Sequence, residues 1–215
     1  MKKWCKLASF AALAIVQSGV CWADPPFGKH PAYIEPLSPN QVACQVTDAT
    51  CLRVALYVMD TILPWIADNG LVSAIQTQDT TNAKLTNLDI NKLDIGWIER
   101  TDKALIDSKM NNDISKFLTS KKQGGNGSII EIFAYDQYGL NVAQTDPTQD
   151  YNQGDEAKYW RTFMAGPGAI YIDKPRPDDG KNVSQASLTI TDPATGRAIG
   201  AMTVGIDVDR LPGKP

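Results

Sequence analysis

The sequence predicts an α+β fold, in which an antiparallel sheet of about five strands carries N-terminal helices packed on one face. Residues 51–122 repeat apolar side chains at helical spacing, whereas residues 128–208 alternate apolar and polar side chains between turn signals. Residues 139–158 run from a strand through an acidic turn and a polar, aromatic loop into a helix. The turn and loop of this stretch, residues 145–158, are called the insert below. A sheet presents a small-molecule pocket in this way, so the sequence predicts ligand binding here.

The first 23 residues have the pattern of a cleavable secretory signal peptide. Lysines precede a short apolar run, and small residues end at Ala23. The run is shorter than the roughly 20 residues of a membrane span, so we expect a protein released into the periplasm with no span of its own. A lipoprotein acylated at Cys21 is the alternative, which Val20 disfavours because a small residue is usual there.

Removal of the signal leaves 192 of the 215 residues and takes the formal net charge from −3 to −6, because three lysines leave with it. This length suits one domain rather than two. An acidic chain also argues against nucleic-acid or anionic-membrane binding as its main role. We expect a proline-rich arm at residues 24–40 and a single domain at 41–215, with a helical part at 41–123 and a sheet part at 127–211.

Cys44 and Cys51 are the cysteines that remain, and an even pair in an oxidising compartment predicts a disulfide. On one continuous helix they would lie roughly 10 Å apart along the axis, too far for a disulfide. The pair therefore requires a break, which Thr47 or Asp48 supplies by capping a helix that begins near Cys51. A structural disulfide is favoured over a redox role, since no Cys-x-x-Cys motif occurs.

Four helical segments are predicted before the sheet. Apolar residues recur at helical spacing in the first and third, and those of the second are interrupted at Asn69-Gly70. The third opens with a capping box of Thr86 and Asp89. Pro64 is expected to kink or end the first helix, and the polar residues 77–84 predict a loop. The predicted helices are residues 51–63, 65–76, 86–98 and 112–122.

Five strands are predicted, and the last two form a hairpin across residues 192–196. Alternation places Leu188, Ile190, Val204 and Ile206 on the face that the helices cover. Small and polar residues of the last strand, from Ala201 to Asp207, alternate onto the other face and leave room for a ligand. The predicted strands are residues 128–135, 140–144, 169–173, 183–191 and 198–208.

The candidate ligand contacts lie on the insert and the nearby strands. Tyr151, Trp160 and Tyr171 offer rigid aromatic surface, although Trp160 also fits a core position. Gln153, Asp155 and Lys158 provide polar contacts, although charged residues here also fit the solvated first turn of a helix. Asp207 is costly to desolvate on an apolar strand unless it is paired, either with a ligand cation or in a structural salt bridge.

Several sequence blocks resemble the Cache family, the PAS-like sensor domains of bacterial chemoreceptors and histidine kinases. They are YDQYG and LNVA at residues 135–143, DYNQGDEAK at 150–158, and GRAIGA through VGIDV at 196–208. The resemblance covers roughly residues 51–211 and is closest to single-Cache domains that are exported alone. It implies a ligand held against the sheet under the insert, with Asp207 facing a cationic group. The order Tyr159-Trp160-Arg161 departs from the amino-acid-binding motif of the family.

These observations predict a periplasmic, non-enzymatic sensor of a small polar molecule, without a metal or a cofactor. Its signalling partner would be a transmembrane histidine kinase, chemoreceptor or diguanylate cyclase. The alternative is an envelope interaction protein that keeps the fold without a ligand pocket. The single histidine, His30, lies in the proline-rich arm, and no nucleophile–base pair or paired carboxylates can be placed for a hydrolase.

Overall fold

The computed structural model describes residues 42–46 and 48–211. The predicted signal peptide and proline-rich arm lie outside these residues. Seven strands make up the sheet of the described chain. They are β1 (Val42–Cys44), β2 (Ile129–Asp136), β3 (Asn141–Gln144), β4 (Ile170–Ile172), β5 (Arg176–Asp178), β6 (Lys181–Thr191) and β7 (Ala198–Asp207).

The strand order is β1-β4-β6-β7-β2-β3, and β5 pairs with one end of β6. Strand β1 runs parallel to β4, whereas the other pairs are antiparallel. All five predicted strands are present, which confirms the α+β class. The two additional strands, β1 and β5, have three residues each, too few to produce a recognisable alternation. The exposed β5 also contains Pro177, which weakens a strand signal.

Six α-helices accompany the sheet in the described chain. They are α1 (Ala49–Tyr57), α2 (Asn69–Asn82), α3 (Asn87–Ile98), α4 (Lys103–Met110), α5 (Asp113–Gly124) and α6 (Ala157–Trp160). The predicted capping box is confirmed, since Thr86 and Asp89 bond reciprocally at the start of α3. The sequence does not predict α4. None of its side chains is fully buried, and a helix without a buried stripe gives little periodic signal.

The helices cover one face of the sheet, as the alternation of β6 and β7 predicts. Leu188, Ile190, Val204 and Ile206 are fully buried in the main core together with side chains of α1, α2 and α5. The opposite face carries a smaller aromatic cluster of Phe133, Tyr135, Ala201 and Tyr159. The two faces are therefore chemically distinct, and the second one is left for the insert.

Helix α1 joins both ends of the described chain. Asp48 caps it by accepting from the Cys51 amide, and the predicted disulfide links Cys51 to Cys44 of β1 with a Cα separation of 6.2 Å. The guanidinium of Arg53 donates to the carbonyls of Val208 and Leu211 at 3.0 and 3.1 Å. The helix therefore begins between the two cysteines, as the disulfide requires. Cys44 ends strand β1 rather than lying in the predicted loop.

After α1 the chain stays helical but changes its winding. Val58–Ile62 forms a π-helical turn, and Leu63–Ala67 continues as a 3₁₀ helix with Pro64 in its first turn. Proline is tolerated there because the first helical amides have no intrahelical acceptor. Pro64 therefore falls at a change of helix type rather than at an end of the helical path.

The prediction of a loop at residues 77–84 is wrong for most of its length, because α2 extends to Asn82. Gln78 and Asn82 project from this part of α2 and donate to the buried carboxylate of Asp136. Three threonine hydroxyls on the exposed side donate to carbonyls one turn earlier. The polar side chains that suggested a loop are thus used in a tertiary contact and in local hydrogen bonds.

One helical stretch of the described chain, Ala49–Ala67, is long and apolar enough to cross a membrane by length and composition alone. A single stretch of this kind is weak evidence for a span. Val54, Val58 and Ile62 on its inner side are fully buried in the main core. Leu52, Leu56 and Met59 are exposed, and these three residues are called the outer stripe below.

Candidate functional site

A cavity of about 190 Å³ lies against the face of the sheet opposite the helices. Its floor is formed by Glu131 and Phe133 of β2 and by Gln185 of β6. The insert forms one wall, and the β5 strand contributes Arg176 and Asp178. The cavity is smaller than the roughly 300–1,000 Å³ of pockets for drug-sized ligands, so its size suits a small molecule.

The floor depends on a glycine in β7, the strand that lies between the strands of Glu131 and Gln185. Both residues are registered against Gly205 of β7, and the Gln185 amide donates to the Glu131 carboxylate at 2.8 Å across it. A Cβ at Gly205 would lie 2.7 Å from Glu131 Cγ. The missing side chain therefore allows Glu131 to lie over the strand and meet its partner.

Gln153 and Lys158 connect the wall to the floor. The Gln153 amide donates to Asp150 Oδ1 at 2.7 Å, and its carbonyl oxygen accepts from Lys158 Nζ at 3.1 Å. Lys158 also pairs with Glu156 at 2.8 Å, and its Nζ lies 5.2 Å from the centre of the Phe133 ring. Lys158 is only 8% exposed, so this ammonium is largely desolvated and depends on these partners.

Two carboxyl groups near the cavity have raised pKa values. Burial is the main cause for Asp150, the negative charge of Glu156 adds to it, and the Gln153 hydrogen bond and Lys158 oppose it. Burial likewise raises the pKa of Asp173, although the backbone amide of Gln185 and the charge of Arg176 each lower it. The region is therefore one in which negative charge is poorly solvated.

The insert is fixed to the tight turn between β2 and β3. The backbone N–H of Gln153 donates to the Gly139 carbonyl at 2.7 Å. The hydroxyl of Tyr159, the residue after the insert, donates to the Gln137 carbonyl at the same distance. Gly139 has a φ of +78°, and a Cβ there would lie 2.5 Å from the Gly154 nitrogen. Glycine thus permits the turn and the insert to meet backbone to backbone.

Of the seven predicted ligand contacts, Gln153 and Lys158 line the cavity. The other five do not. Tyr151 is buried against Trp97, Trp160 lies edge-on to Tyr159, and Tyr171 lies under the guanidinium of Arg161.

Asp155 is exposed, and Asp207 is buried at the end of β7, where it accepts from the Asp209 amide. Asp207 also forms an ion pair with Arg210 at 3.4 Å. This pair is the structural salt bridge that the sequence left open as an alternative. A ligand contact at these five residues stays a prediction.

The floor residues Glu131 and Gln185 were not predicted as a site. Each interrupts an otherwise apolar or small strand, in the segments SIIEIF and SQAS, and that interruption is the signal that was present. Their meeting depends on strand register through Gly205, which the sequence does not display. Arg176 and Asp178 lie on β5, which carries no recognisable pattern.

Within residues 42–46 and 48–211, no group of three or more His, Cys, Asp or Glu residues is arranged to hold a metal ion. The carboxylates that line the cavity lie on its floor, on the insert and on β5.

The described chain thus has an α+β sheet with helices on one face and a polar cavity on the other. No family model and no curated protein matches this chain. Among solved structures, the ligand-binding domain of the Campylobacter jejuni chemoreceptor Tlp3 in complex with L-valine covers 78% of this chain and 70% of its own, at 13% identity and a TM-score of 0.36.

The sensor domain of the V. cholerae histidine kinase DctB covers 73% of this chain, at 10% identity and a TM-score of 0.30. This chain spans 57% of that domain. Both structures are sensory domains, the class that the sequence resembles. Because the TM-scores are low, the role of this chain is inferred from its own residues.

Proposed function

We propose that this protein is a periplasmic sensory domain that binds a small polar molecule between the insert and the sheet. The observation that carries the proposal is the cavity bounded by Gln153 and Lys158, two buried polar side chains of the insert. Pockets with a few fixed polar groups on a sheet are typical of small-molecule sites.

A binding role fits the chemistry of the lining better than catalysis. Thr148 is the only hydroxyl among the lining residues, and it is engaged with Asp150 O and Gln144 rather than with a general base. Acyl or phosphoryl transfer requires an activated nucleophile or a positioned acid and base. The two lining cations pair with Glu156 and Asp173, and two of the other carboxylates accept from the amides of Gln153 and Gln185.

A sensory domain requires an output, so we propose that ligand binding changes the affinity for a membrane signalling partner. A transmembrane histidine kinase, a chemoreceptor or a diguanylate cyclase would each serve. Coupling between two binding events is reciprocal, so the partner should tighten ligand binding by the same factor.

The test is a thermal-shift screen of protein purified from the periplasm against amino acids, carboxylates, amines, purines and sugars. A ligand at about 100 times its dissociation constant stabilises the fold by about 2.7 kcal/mol, enough to raise the melting temperature by several degrees. Gln153→Ala should reduce the shift, because it removes a polar side chain of the wall that also holds Asp150, whereas Gln123→Ala, at an exposed glutamine on α5, should retain it. A flat screen on folded protein would contradict the proposal.

The outer stripe of the helical stretch Ala49–Ala67 favours a second candidate, an envelope interaction protein. Leu52 and Leu56 are 61% and 55% exposed, and large apolar side chains grouped on one helix face are typical of protein contacts. In that case the cavity would hold only water. A flat screen, combined with loss of partner capture in Leu56→Glu but not in the exposed Lys103→Glu, would favour this candidate.

A further inference from the structure

The two cations that line the cavity are already neutralised. Lys158 pairs with Glu156 at 2.8 Å, and Arg176 pairs with Asp173 at 3.0 Å. Both ion pairs are made within the protein, so neither cation requires an anion from a ligand. A ligand carboxylate or phosphate would have to displace one of these partners.

Three of the carboxylates that line the cavity have no cationic partner among the described residues. Glu131 accepts from the Gln185 amide and Asp150 from the Gln153 amide, and both donors are neutral. Within the described residues, neither of them nor Asp178 takes part in an ion pair. The cavity therefore has an excess of negative charge on three of its sides.

The floor carboxylate is held in place by more than its own charge. Gln185 is buried, Glu131 is half-buried, and Gly205 leaves the space in which they meet. A carboxylate in such a position is costly to desolvate when only a neutral amide supports it. A cation in the cavity would supply the missing partner.

The geometry selects the kind of cation. The carboxylates do not form a metal-binding group, so a single ion cannot satisfy them together. At about 190 Å³, the cavity is smaller than the roughly 300–1,000 Å³ of pockets for drug-sized ligands, which suits a compact organic molecule. An amine on a short carbon chain combines this small size with a positive charge.

We infer that the cavity binds a small organic amine, with Glu131 as its principal anionic contact and Asp150 and Asp178 as the supporting carboxylates. This inference rests on the proposed function, since it names the ligand class of the same site. It does not use Asp207, whose charge is taken by Arg210.

The test uses a series of four-carbon compounds that differ mainly in charge: diaminobutane, aminobutane, aminobutyrate, succinate and butanediol. Isothermal titration calorimetry of the exported protein measures each one at low ionic strength. We expect binding of the two amines, weaker binding of aminobutyrate, and none of succinate or butanediol. Glu131→Gln should weaken amine binding by about 10- to 100-fold, the effect of losing a charge-assisted hydrogen bond.

Glu131→Gln keeps an oxygen that accepts from Gln185, so the fold should be retained, which circular dichroism checks. Glu99→Gln makes the same change on an exposed residue after α3 and should leave binding unchanged. Binding of succinate or butanediol in preference to the amines would overturn the inference while supporting a sensory pocket. Amine binding that Glu131→Gln leaves unchanged would also overturn it. No binding of any compound, with no hit in the wider screen, would overturn both proposals.

Discussion

The side-chain amide of Gln78 donates a 2.9 Å hydrogen bond to the carboxylate of Asp136, and this bond joins α2 to the end of β2. Asn82 donates to the same carboxylate oxygen at 2.7 Å, and the amides of Tyr138 and Leu140 donate to the other at 2.9 Å. Asp136 is completely buried, and four donors surround it. The helical layer and the turn that supports the insert therefore share one acceptor.

Asp136→Asn should destabilise the protein although the two side chains have nearly the same shape. In either orientation, the new NH₂ group would face two of the four hydrogen-bond donors that now surround the carboxylate. Those two buried donors would lose their acceptor. We expect a loss of about 2–3 kcal/mol in the free energy of unfolding, measured by urea denaturation. Asp155→Asn, on an exposed residue of the insert, is the control and should change it little. Equal stability of the two variants would contradict this account of the turn.

Asp79 should make stability depend on pH near neutrality. Burial, aided by the charge of Asp136, raises its pKa from the ordinary 3.8 to about 7, although the Gln137 amide opposes the shift. Because the folded protein favours the protonated form, this contribution is full below pH 3.8 and is lost as the pH rises through about 7.

Asp79→Asn should therefore reduce the fall in unfolding free energy between pH 5 and pH 8, as measured by denaturation at each pH. The substituted side chain would still offer an oxygen to the Gln137 amide. Some dependence should persist, since burial also raises the pKa of Asp136 and Asp150. A variant with the same slope as the wild type would show that Asp79 is not the group responsible.

Gly205→Ala should affect ligand binding more than stability. The new Cβ would displace the Glu131 side chain and break its bond to Gln185. Because that side chain is flexible and half-buried, we expect a cost of about 1 kcal/mol, at the low end for overpacking. Binding should weaken by about tenfold, the effect of misplacing one charged contact.

Gly124→Ala provides the control for this substitution, since a Cβ there meets nothing within 4 Å. It should leave both the melting temperature and calorimetric binding nearly unchanged. If Gly205→Ala bound ligand like the wild type, the floor would not be part of the site.

Removal of the disulfide should weaken the attachment of β1 to α1. The double variant Cys44→Ser, Cys51→Ser is expected to lose about 2–3 kcal/mol of unfolding free energy, the chain-entropy value for a short loop. Reductant should lower the stability of the wild type to that of the variant and leave the variant unchanged. A reductant effect on the variant would point to a cause other than this bond.

The long strands could be predicted because their alternation extends over many residues, as in β6 and β7. The helical character of residues 77–82 could not, since it depends on Gln78 and Asn82 reaching Asp136, more than fifty residues away in the chain. Local polarity favours a loop when the acceptor of those amides is unknown. Tertiary hydrogen bonds overrode that preference.

The sequence displays only part of the candidate site, because some of the lining residues meet only through strand pairing. Gln153 and Lys158 lie in one continuous polar segment, so the sequence displays them together. Glu131 and Gln185 become neighbours only when β2, β7 and β6 pair in register around Gly205. Asp207 pairs with Arg210, which lies beyond the strand in a short helix that the alternation did not indicate, and its role as a ligand contact stays a prediction.

Helix α1 holds β1 through Cys51 and the last described residues through Arg53, two positions on the same turn. The first and last elements of the described residues, 42–46 and 48–211, are therefore neighbours in space. Domains with adjacent ends accept circular permutation and insertion into other proteins with short linkers. The cavity lies on the opposite face of the sheet, so such a rearrangement leaves its floor and its insert continuous.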